Sequence, residues 1–203
     1  MHKISGEISK NNYELIRDRV GLILFEELSY QGTISTDTTF ETPSVFIGRV
    51  VAFDGAEMPA INVMISELNL SNDDVTQQDN LIRINVDIYT NSVFIQGEDK
   101  RGDVEAEIKL HRLAGVIRAI LMNPVYKTLG FATPSIMRRS VKSAQFASLD
   151  GEDTMSQRFG RIVFEVECVE DVELQDVYDY SGTLTTAKFE LTDVGYQVTK
   201  LLP

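Results

Sequence analysis

Two runs in which apolar and polar residues alternate constrain this fold more than any other feature of the chain. They lie at residues 58–67 and 81–89 and are separated by a polar stretch. A period of two places the apolar side chains on one face of a β-strand and the polar ones on the other. The second run is the more regular, and its apolar residues are Ile82, Ile84, Val86 and Ile88. We therefore expect a sheet with one face buried and the other facing water or a polar partner.

Two amphipathic helices are predicted to cover the buried face of that sheet. In residues 12–30, apolar side chains recur at every third or fourth position, which gives a helix one buried stripe. Asn11 precedes this helix and Glu14 follows three residues later, the spacing of a reciprocal N-terminal cap. Residues 103–122 show the same periodicity, with Asp103 placed to cap the helix.

The segment before the first alternating run predicts a further strand. Residues 45–53 are rich in Val, Ile and Phe, and Asp54-Gly55 follows them. Because Asp-Gly is a strong signal for a tight turn, we expect this strand to form a hairpin with residues 58–67. Residues 69–80 are polar and acidic and predict a solvated loop.

The C-terminal half predicts a long hairpin followed by weaker strands. Residues 159–169 alternate regularly, with Cys168 on the apolar side, and residues 136–149 alternate weakly. We expect these two segments to pair, with an acidic loop at the tip of the hairpin. Residues 183–191 predict one more strand, and residues 195–200 predict an edge strand or a tail that pairs with a neighbouring subunit.

The order of these elements predicts a single domain over residues 1–203. Its class is α+β, a mixed, largely antiparallel sheet flanked by two amphipathic helices, with extended arms. The first arm is a Thr-rich segment at about residues 33–44 that begins with Thr33 and contains Phe40. The second is a C-terminal extension at about residues 174–203. Because both contain few apolar anchors, we expect them to reach onto neighbouring subunits or other partners and to order on assembly.

The charge and the cysteine content restrict the function of the chain. Its 203 residues include 31 acidic and 19 basic ones, a formal net charge of −12. Such a protein repels nucleic-acid phosphates, so sequence-specific binding to nucleic acid is not expected. The single cysteine, Cys168, excludes an intrachain disulfide and indicates a small apolar residue in the core. No signal peptide or membrane span is recognised, so we expect a soluble protein made in the cytoplasm.

No catalytic, metal or cofactor site is predicted. Of the two histidines, His2 lies at the terminus and His111 lies beside Arg112 on a helix, where an exposed surface residue is the expected role. The carboxylate clusters lack the spacing of a calcium-binding loop. A hydrolase that uses two dispersed carboxylates stays open, because such pairs come from distant strands.

Basic residues cluster once in the sequence. The cluster comprises Arg138, Arg139, Lys142, Arg158 and Arg161. Two interpretations stay open: salt bridges to neighbouring acidic loops, or docking onto an acidic partner such as the next copy of the same protein. Under the second interpretation, the candidate interface residues are Arg138, Arg139 and Arg161, together with Thr33 and Phe40 of the first arm.

The order of elements over residues 12–169 resembles the tail terminator proteins of tailed bacteriophages. The similarity includes the run Met58-Pro59-Ala60-Ile61-Asn62-Val63, which enters the second predicted strand. Proteins of that family are small α+β proteins that assemble as a ring, commonly hexameric, on the last tier of the tail tube. The ring ends tube polymerisation and presents a surface to the head-completion proteins. The chain departs from compact members in its two arms and in residues 69–80.

The resemblance implies a structural protein of the virion neck, assembled in the host cytoplasm, and not an enzyme. Its implied partners are copies of itself in a ring, the tail tube protein and the head–tail connector or completion protein, with no membrane and no cofactor. DNA would pass through the ring without adhering, because an acidic lumen offers no cations to replace the counterions of DNA. The alternatives are another phage ring component, such as a head-completion, baseplate or tail-tube-like subunit, and a small acidic carboxylate-dependent enzyme.

Overall fold

The computed structural model describes seven stretches of the chain. These stretches are residues 10–71, 77–93, 102–131, 136–149, 155–171, 187–192 and 195–200. They contain two α-helices and seven strands. Neither of these helices combines the length and the hydropathy needed to cross a membrane.

The strands form one mixed, largely antiparallel sheet, which confirms the predicted fold class. They are β1 Ser44–Ile47, β2 Ala60–Leu70, β3 Gln77–Val93, β4 Ile136–Leu149, β5 Met155–Asp171, β6 Ala187–Thr192 and β7 Gly195–Lys200. Their order across the sheet is β4-β5-β3-β2-β1-β7-β6. Among the neighbouring pairs described, only β1 and β2 run parallel.

The helices are α1, Asn12–Ile34, and α2, Gly102–Met122. The cap of α1 forms as predicted, since the backbone N–H of Asn11 donates to the Glu14 carboxylate at 3.0 Å. In contrast, α2 begins at Gly102, so Asp103 lies in its first turn and not at the predicted cap position. There its charge lies near the positive end of the helix dipole.

Both helices pack on one face of the sheet, where the core lies. The four aliphatic residues of β3 singled out by their alternation are all 0% exposed, and Cys168 on β5 is buried beside them, as predicted. Ile16 and Leu24 of α1 and Leu110 and Ile117 of α2 belong to the same apolar cluster. The apolar residues of the alternating strands and of the two helices thus form one core.

The predicted hairpin between residues 45–53 and 58–67 is wrong. β1 ends at Ile47, and Gly48 takes a positive φ of 67°, which turns the chain out of the sheet. The chain returns to pair with β1 in parallel, with Ser44 opposite Ala60. The Asp-Gly pair does not form a hairpin turn. Instead, Asp54 precedes a short 3-10 helix at Gly55–Glu57.

The two hairpins on the other side of the sheet are longer than the sequence pattern indicates. β2 continues to Leu70 and β3 begins at Gln77, so most of the predicted loop at 69–80 that is described belongs to strands. The predicted pairing of β4 with β5 is confirmed, with Val141 opposite Phe164. The acidic tip of that hairpin lies outside the described residues.

The first arm is anchored to its own chain. α1 continues through Thr33, and Phe40 packs on the core cluster. Asp37 forms an ion pair with Arg112 of α2 at 2.8 Å, and Glu41 forms one with Lys109 at 2.6 Å. These anchors within the protomer correct the expectation that the segment orders on assembly, whereas its reach onto neighbouring subunits or partners stays a prediction. A role of Thr33 and Phe40 at an interface stays a prediction.

The described part of the C-terminal extension extends the sheet. β7 pairs with β1 on one side and with β6 on the other, so β6 and not β7 is the edge strand. The expectation that residues 195–200 form an edge strand is therefore wrong. Residues 183–186 of the predicted last strand lie outside the described residues.

Replacing Ile84 with Asp tests the facing of β3. The variant should lose roughly 3 kcal/mol or more of its free energy of unfolding, because it buries an unpaired carboxylate. Ile84→Val, which removes one methylene group at the same site, should cost about 1 kcal/mol. Urea unfolding followed by circular dichroism measures both changes. An Asp variant as stable as the wild type would show that Ile84 does not face the core.

Candidate interaction surface

The face of the sheet opposite α1 and α2, here called the helix-free face, carries a dense set of polar and charged side chains. They stand at the positions that alternate with the core residues of β2, β3 and β5. The set comprises Asn62, Glu67, Arg83, Asn85, Asp87, Arg161 and Glu165, with Lys142 reaching it from β4. Several are buried by their neighbours although neither α1 nor α2 covers them: Asn62 is 1% exposed, Asp87 2% and Glu165 8%.

Four of these side chains form a charge ladder across four adjacent strands. Lys142 Nζ lies 3.0 Å from Glu165 Oε2, and Arg83 Nη2 lies 2.8 Å from Glu165 Oε1. Arg83 also pairs with Glu67 on β2. The ladder therefore runs Lys142, Glu165, Arg83, Glu67, with the sign of the charge alternating at each strand. Cross-strand pairs of opposite charge stabilise a sheet and help to fix its register.

The ladder holds Glu165 in its ionised form. Burial of the Glu165 carboxylate acts to raise its pKa, but the hydrogen bonds from Arg83 and Lys142 outweigh burial and hold the pKa below its ordinary value of 4.5. The hydrogen bond to Glu165 in turn raises the pKa of Arg83. Since both carboxylate oxygens have cationic partners, Glu165 is poorly suited to act as a general acid or base.

A second ion pair on the helix-free face joins β3 to β5. Arg161 Nε and Nη2 donate to the two oxygens of Asp87 at 2.6 and 2.7 Å. The guanidinium also lies over the Phe159 ring, 5.5 Å from its centroid. The hydrogen bond to Asp87 raises the pKa of Arg161. Arg161 is therefore engaged within the sheet, although its side chain stays 35% exposed.

Next to this pair, an aromatic row crosses the sheet and continues into the loop after β1. The centroid distances are 5.3 Å from Phe159 to Tyr89, 4.7 Å from Tyr89 to Phe53, and 5.1 Å from Phe53 to Phe46. Ring pairs at such separations and tilted angles stabilise one another. The row fixes the loop against the helix-free face through the rings on β1 and β3.

Arg49 is the central residue of that loop. It interrupts the apolar alternation of residues 45–53, but its partners could not be inferred from that pattern. It is 6% exposed, and its guanidinium donates to both oxygens of Glu57 at 2.7 Å. It also donates to the carbonyls of Val51 and Ala52 and lies 4.2 Å from the centroid of the Phe53 ring. All three guanidinium nitrogens of one side chain thus hold the loop in one conformation.

The backbone of Arg49 is fixed to the sheet by Asn62 on β2. Asn62 Oδ1 accepts from the Arg49 N–H at 3.0 Å, and Asn62 Nδ2 donates to the Arg49 carbonyl at 2.8 Å. The next two residues, Val50 and Val51, are 91% and 53% exposed. Arg49 and Asn62 therefore form a clamp that holds two valines, here called the valine loop, in contact with solvent.

The structure separates the basic residues that cluster in the sequence. Arg138 and Arg139 are neighbours on a strand, so their side chains leave opposite faces. Arg139 turns to the helix side and donates to the carbonyls of Leu121 and Asn123 at the C-terminal end of α2. Such contacts satisfy carbonyls that have no partner within the helix.

Of the cations assigned to an interface, Arg138 remains the most available. It is exposed, and it forms no ion pair within the stretches of chain that the structure describes. Arg139 and Arg161 have the intrachain partners given above. The salt-bridge interpretation thus fits Lys142 and Arg161, with the difference that their partners are strand carboxylates and not loop residues.

An open groove of about 430 Å³ lies at the end of the helix-free face near Arg138. Lys142, Glu165, Glu167 and Ser140 line it from β4 and β5, and residues of the β2–β3 hairpin line its other side. Within the described residues, no group of three or more His, Cys, Asp or Glu side chains is arranged to hold a metal ion.

Comparison with known proteins adds no family to these observations. No protein-family model matches the sequence, and no curated protein matches it.

The clamp around Arg49 can be tested by removing its side chain. Arg49→Ala should lower the free energy of unfolding by about 2 kcal/mol, because it removes a buried side chain together with its hydrogen bonds and its contact with the Phe53 ring. Arg49→Lys keeps the charge but loses the planar guanidinium, so it should lower the free energy of unfolding by less than Arg49→Ala does. Arg118→Ala, at an exposed position on α2, is the matched control and should change stability by about 0.5 kcal/mol or less. Equal unfolding midpoints for Arg49→Ala and Arg118→Ala would contradict the clamp.

The charge ladder predicts how stability depends on pH. Because the pKa of Glu165 is lower in the folded than in the unfolded chain, its contribution is present above pH 4.5 and is lost as the pH falls through the folded pKa. Glu165→Gln should therefore be less stable than the wild type at pH 7, and this difference should shrink below pH 4.5. Urea unfolding at about pH 7, 5, 4 and 3 measures the difference in free energy of unfolding between the two proteins. Glu67→Gln, at the exposed end of the ladder, should show a smaller effect, and a pH-independent effect at Glu165 would contradict the assignment.

Proposed function

We propose that this protein is a structural component of a phage neck. It forms a ring with copies of itself, caps the tail tube, ends the polymerisation of the tube and offers the surface to which the head attaches. The observation that carries the proposal is the helix-free face, where charges of both signs are held in fixed positions beside the exposed valine loop. A surface of this composition is suited to contact with other proteins.

The fixed charges support recognition of a protein partner for a physical reason. Arg83 and Glu67 are 38% and 42% exposed, yet their ion pairs restrict their rotamers before any partner arrives. A pre-organised surface loses less conformational entropy on binding than a flexible one. Fixed charges of alternating sign also select the register of a partner with the complementary pattern.

The valine loop supports the same proposal. An apolar side chain held 91% exposed gains little within the protomer, whereas its burial in an interface would remove apolar surface from water. The clamp of Arg49 and Asn62 makes this loop a rigid element in spite of its irregular backbone. Rigid loops on a sheet scaffold are common sites of protein contact.

The order of elements is consistent with a tail terminator. α1, the β2–β3 pair, α2 and the β4–β5 hairpin follow one another as the resemblance requires. The parallel pairing of β1 with β2 differs from the expected hairpin. In this proposal the ring contains six copies and lies in the virion neck. Its partners are the tail tube protein and the head–tail connector or completion protein. The net charge of −12 suits a ring through which DNA slides without adhering.

The proposal predicts closed rings and controlled tube length. Negative-stain electron microscopy of the purified protein should show rings with a channel wide enough for duplex DNA, and light scattering should give the number of copies. Deletion of the gene from the virus that carries it should give tail tubes of uncontrolled length. Tubes of normal length that fail to join heads would instead indicate a head-completion protein, and the loss of all tubes would indicate a tube or baseplate subunit. A monomer at every concentration would contradict a ring.

A further inference from the structure

β4 is one of the two edges of the described sheet. It has 14 residues, and no strand among the described residues lies beyond it. Two irregularities interrupt its register near Ile136 and Val141, but residues 143–149 pair with β5 without a break. An edge strand of this kind leaves alternate backbone N–H and C=O groups available to another strand.

The side chains of β4 are also exposed over much of its length. Residues 144–148 are exposed on both faces of the strand. Two large apolar side chains are among the exposed residues of β4, since Met137 is 55% and Phe146 47% exposed. One side of the Phe146 ring contacts His111 of α2, with centroids 4.7 Å apart. Natural edge strands are often protected against pairing, whereas residues 144–148 lack a charged side chain.

The charge of β4 is opposite to that of the whole chain. The strand contains Arg138, Arg139 and Lys142 and has no acidic residue, whereas the chain has a net charge of −12. Lys142 and Arg139 have the intrachain partners described above, which leaves Arg138 as the exposed cation of β4 that forms no ion pair within the described residues. A copy of this acidic chain is therefore electrostatically complementary to β4.

We propose that β4 is the seam at which a second copy of this chain adds a strand to the sheet. Pairing of two β4 strands would bring six cations and no carboxylate to one seam, so a two-fold arrangement is disfavoured. The other edge of the described sheet is β6, which contains one Lys and one Glu and therefore lacks the like-charge repulsion of two β4 strands. We therefore pair β4 of one copy with β6 of the next. Such head-to-tail pairing repeats from copy to copy and closes into a ring when the rotation allows it. The inference deepens the proposed ring and rests on it.

Two proline variants test the seam at the level of the backbone. On an antiparallel edge strand, the N–H and C=O of one residue point to the paired strand and those of the next residue point outward. Of Ala144→Pro and Gln145→Pro, one should therefore break a hydrogen bond to β5 and lower the Tm. The other should melt close to the wild type and weaken self-association at least tenfold in sedimentation velocity. Association of that variant with wild-type affinity would overturn the seam.

A charge reversal gives a second test that does not depend on proline. Arg138→Glu should weaken self-association at least tenfold at low salt and less at high salt. Its Tm should fall only slightly, through the new like charge opposite Glu167 on β5. Arg118→Glu makes the same charge change on the exposed surface of α2 and should associate like the wild type. Equal association by the two variants at every ionic strength would overturn the proposal, and so would a wild-type protein that stays monomeric.

The results for the β4 variants and for the gene deletion together distinguish a failure of the seam from a failure of the proposed neck function. Rings that persist in the β4 variants would overturn the seam and leave the proposed function standing. Self-association that depends on β4, together with normal tube length in the gene deletion, would support the seam and overturn the tail terminator.

Discussion

Burial of the aliphatic row of β3 is the constraint on which the rest of the structure depends. β3 pairs with β2 on one side and with β5 on the other, and the row belongs to the same apolar cluster as residues of both helices. Since both helices occupy one face, the charged residues at the alternating positions must lie on the other. Burial of the apolar residues therefore places four charged side chains on one surface, where they form two ion pairs: Arg83 with Glu165 and Arg161 with Asp87.

Local periodicity was enough to predict much of this fold. The stripes of α1 and α2, the alternation of β3 and the β4–β5 hairpin are all properties of short segments, and they predicted the α+β class. The parallel β1–β2 pair could not be predicted in this way. It depends on Gly48 leaving the strand and on the contacts of Arg49 with Glu57 and Asn62, which only the folded chain brings together.

The candidate surface was harder to predict than the core because its chemistry depends on register. Arg161 meets Asp87 across 74 positions of sequence, and Arg83 meets Glu165 across 82. A cluster of basic residues in the sequence says little about these partners. Even Arg138 and Arg139, which are adjacent, separate to opposite faces of one strand, so that one supports a helix end and the other remains on the surface.

The clamp of Arg49 and Asn62 has a mechanical consequence. A load applied to Val50 or Val51 cannot be absorbed by bending of the loop, because the loop carbonyls are held by the Arg49 guanidinium. Asn62 transfers that load directly to β2, in the interior of the sheet. The valine loop is thus mechanically coupled to the sheet, and a displacement of Val50 or Val51 is transmitted to the strands that form the helix-free face.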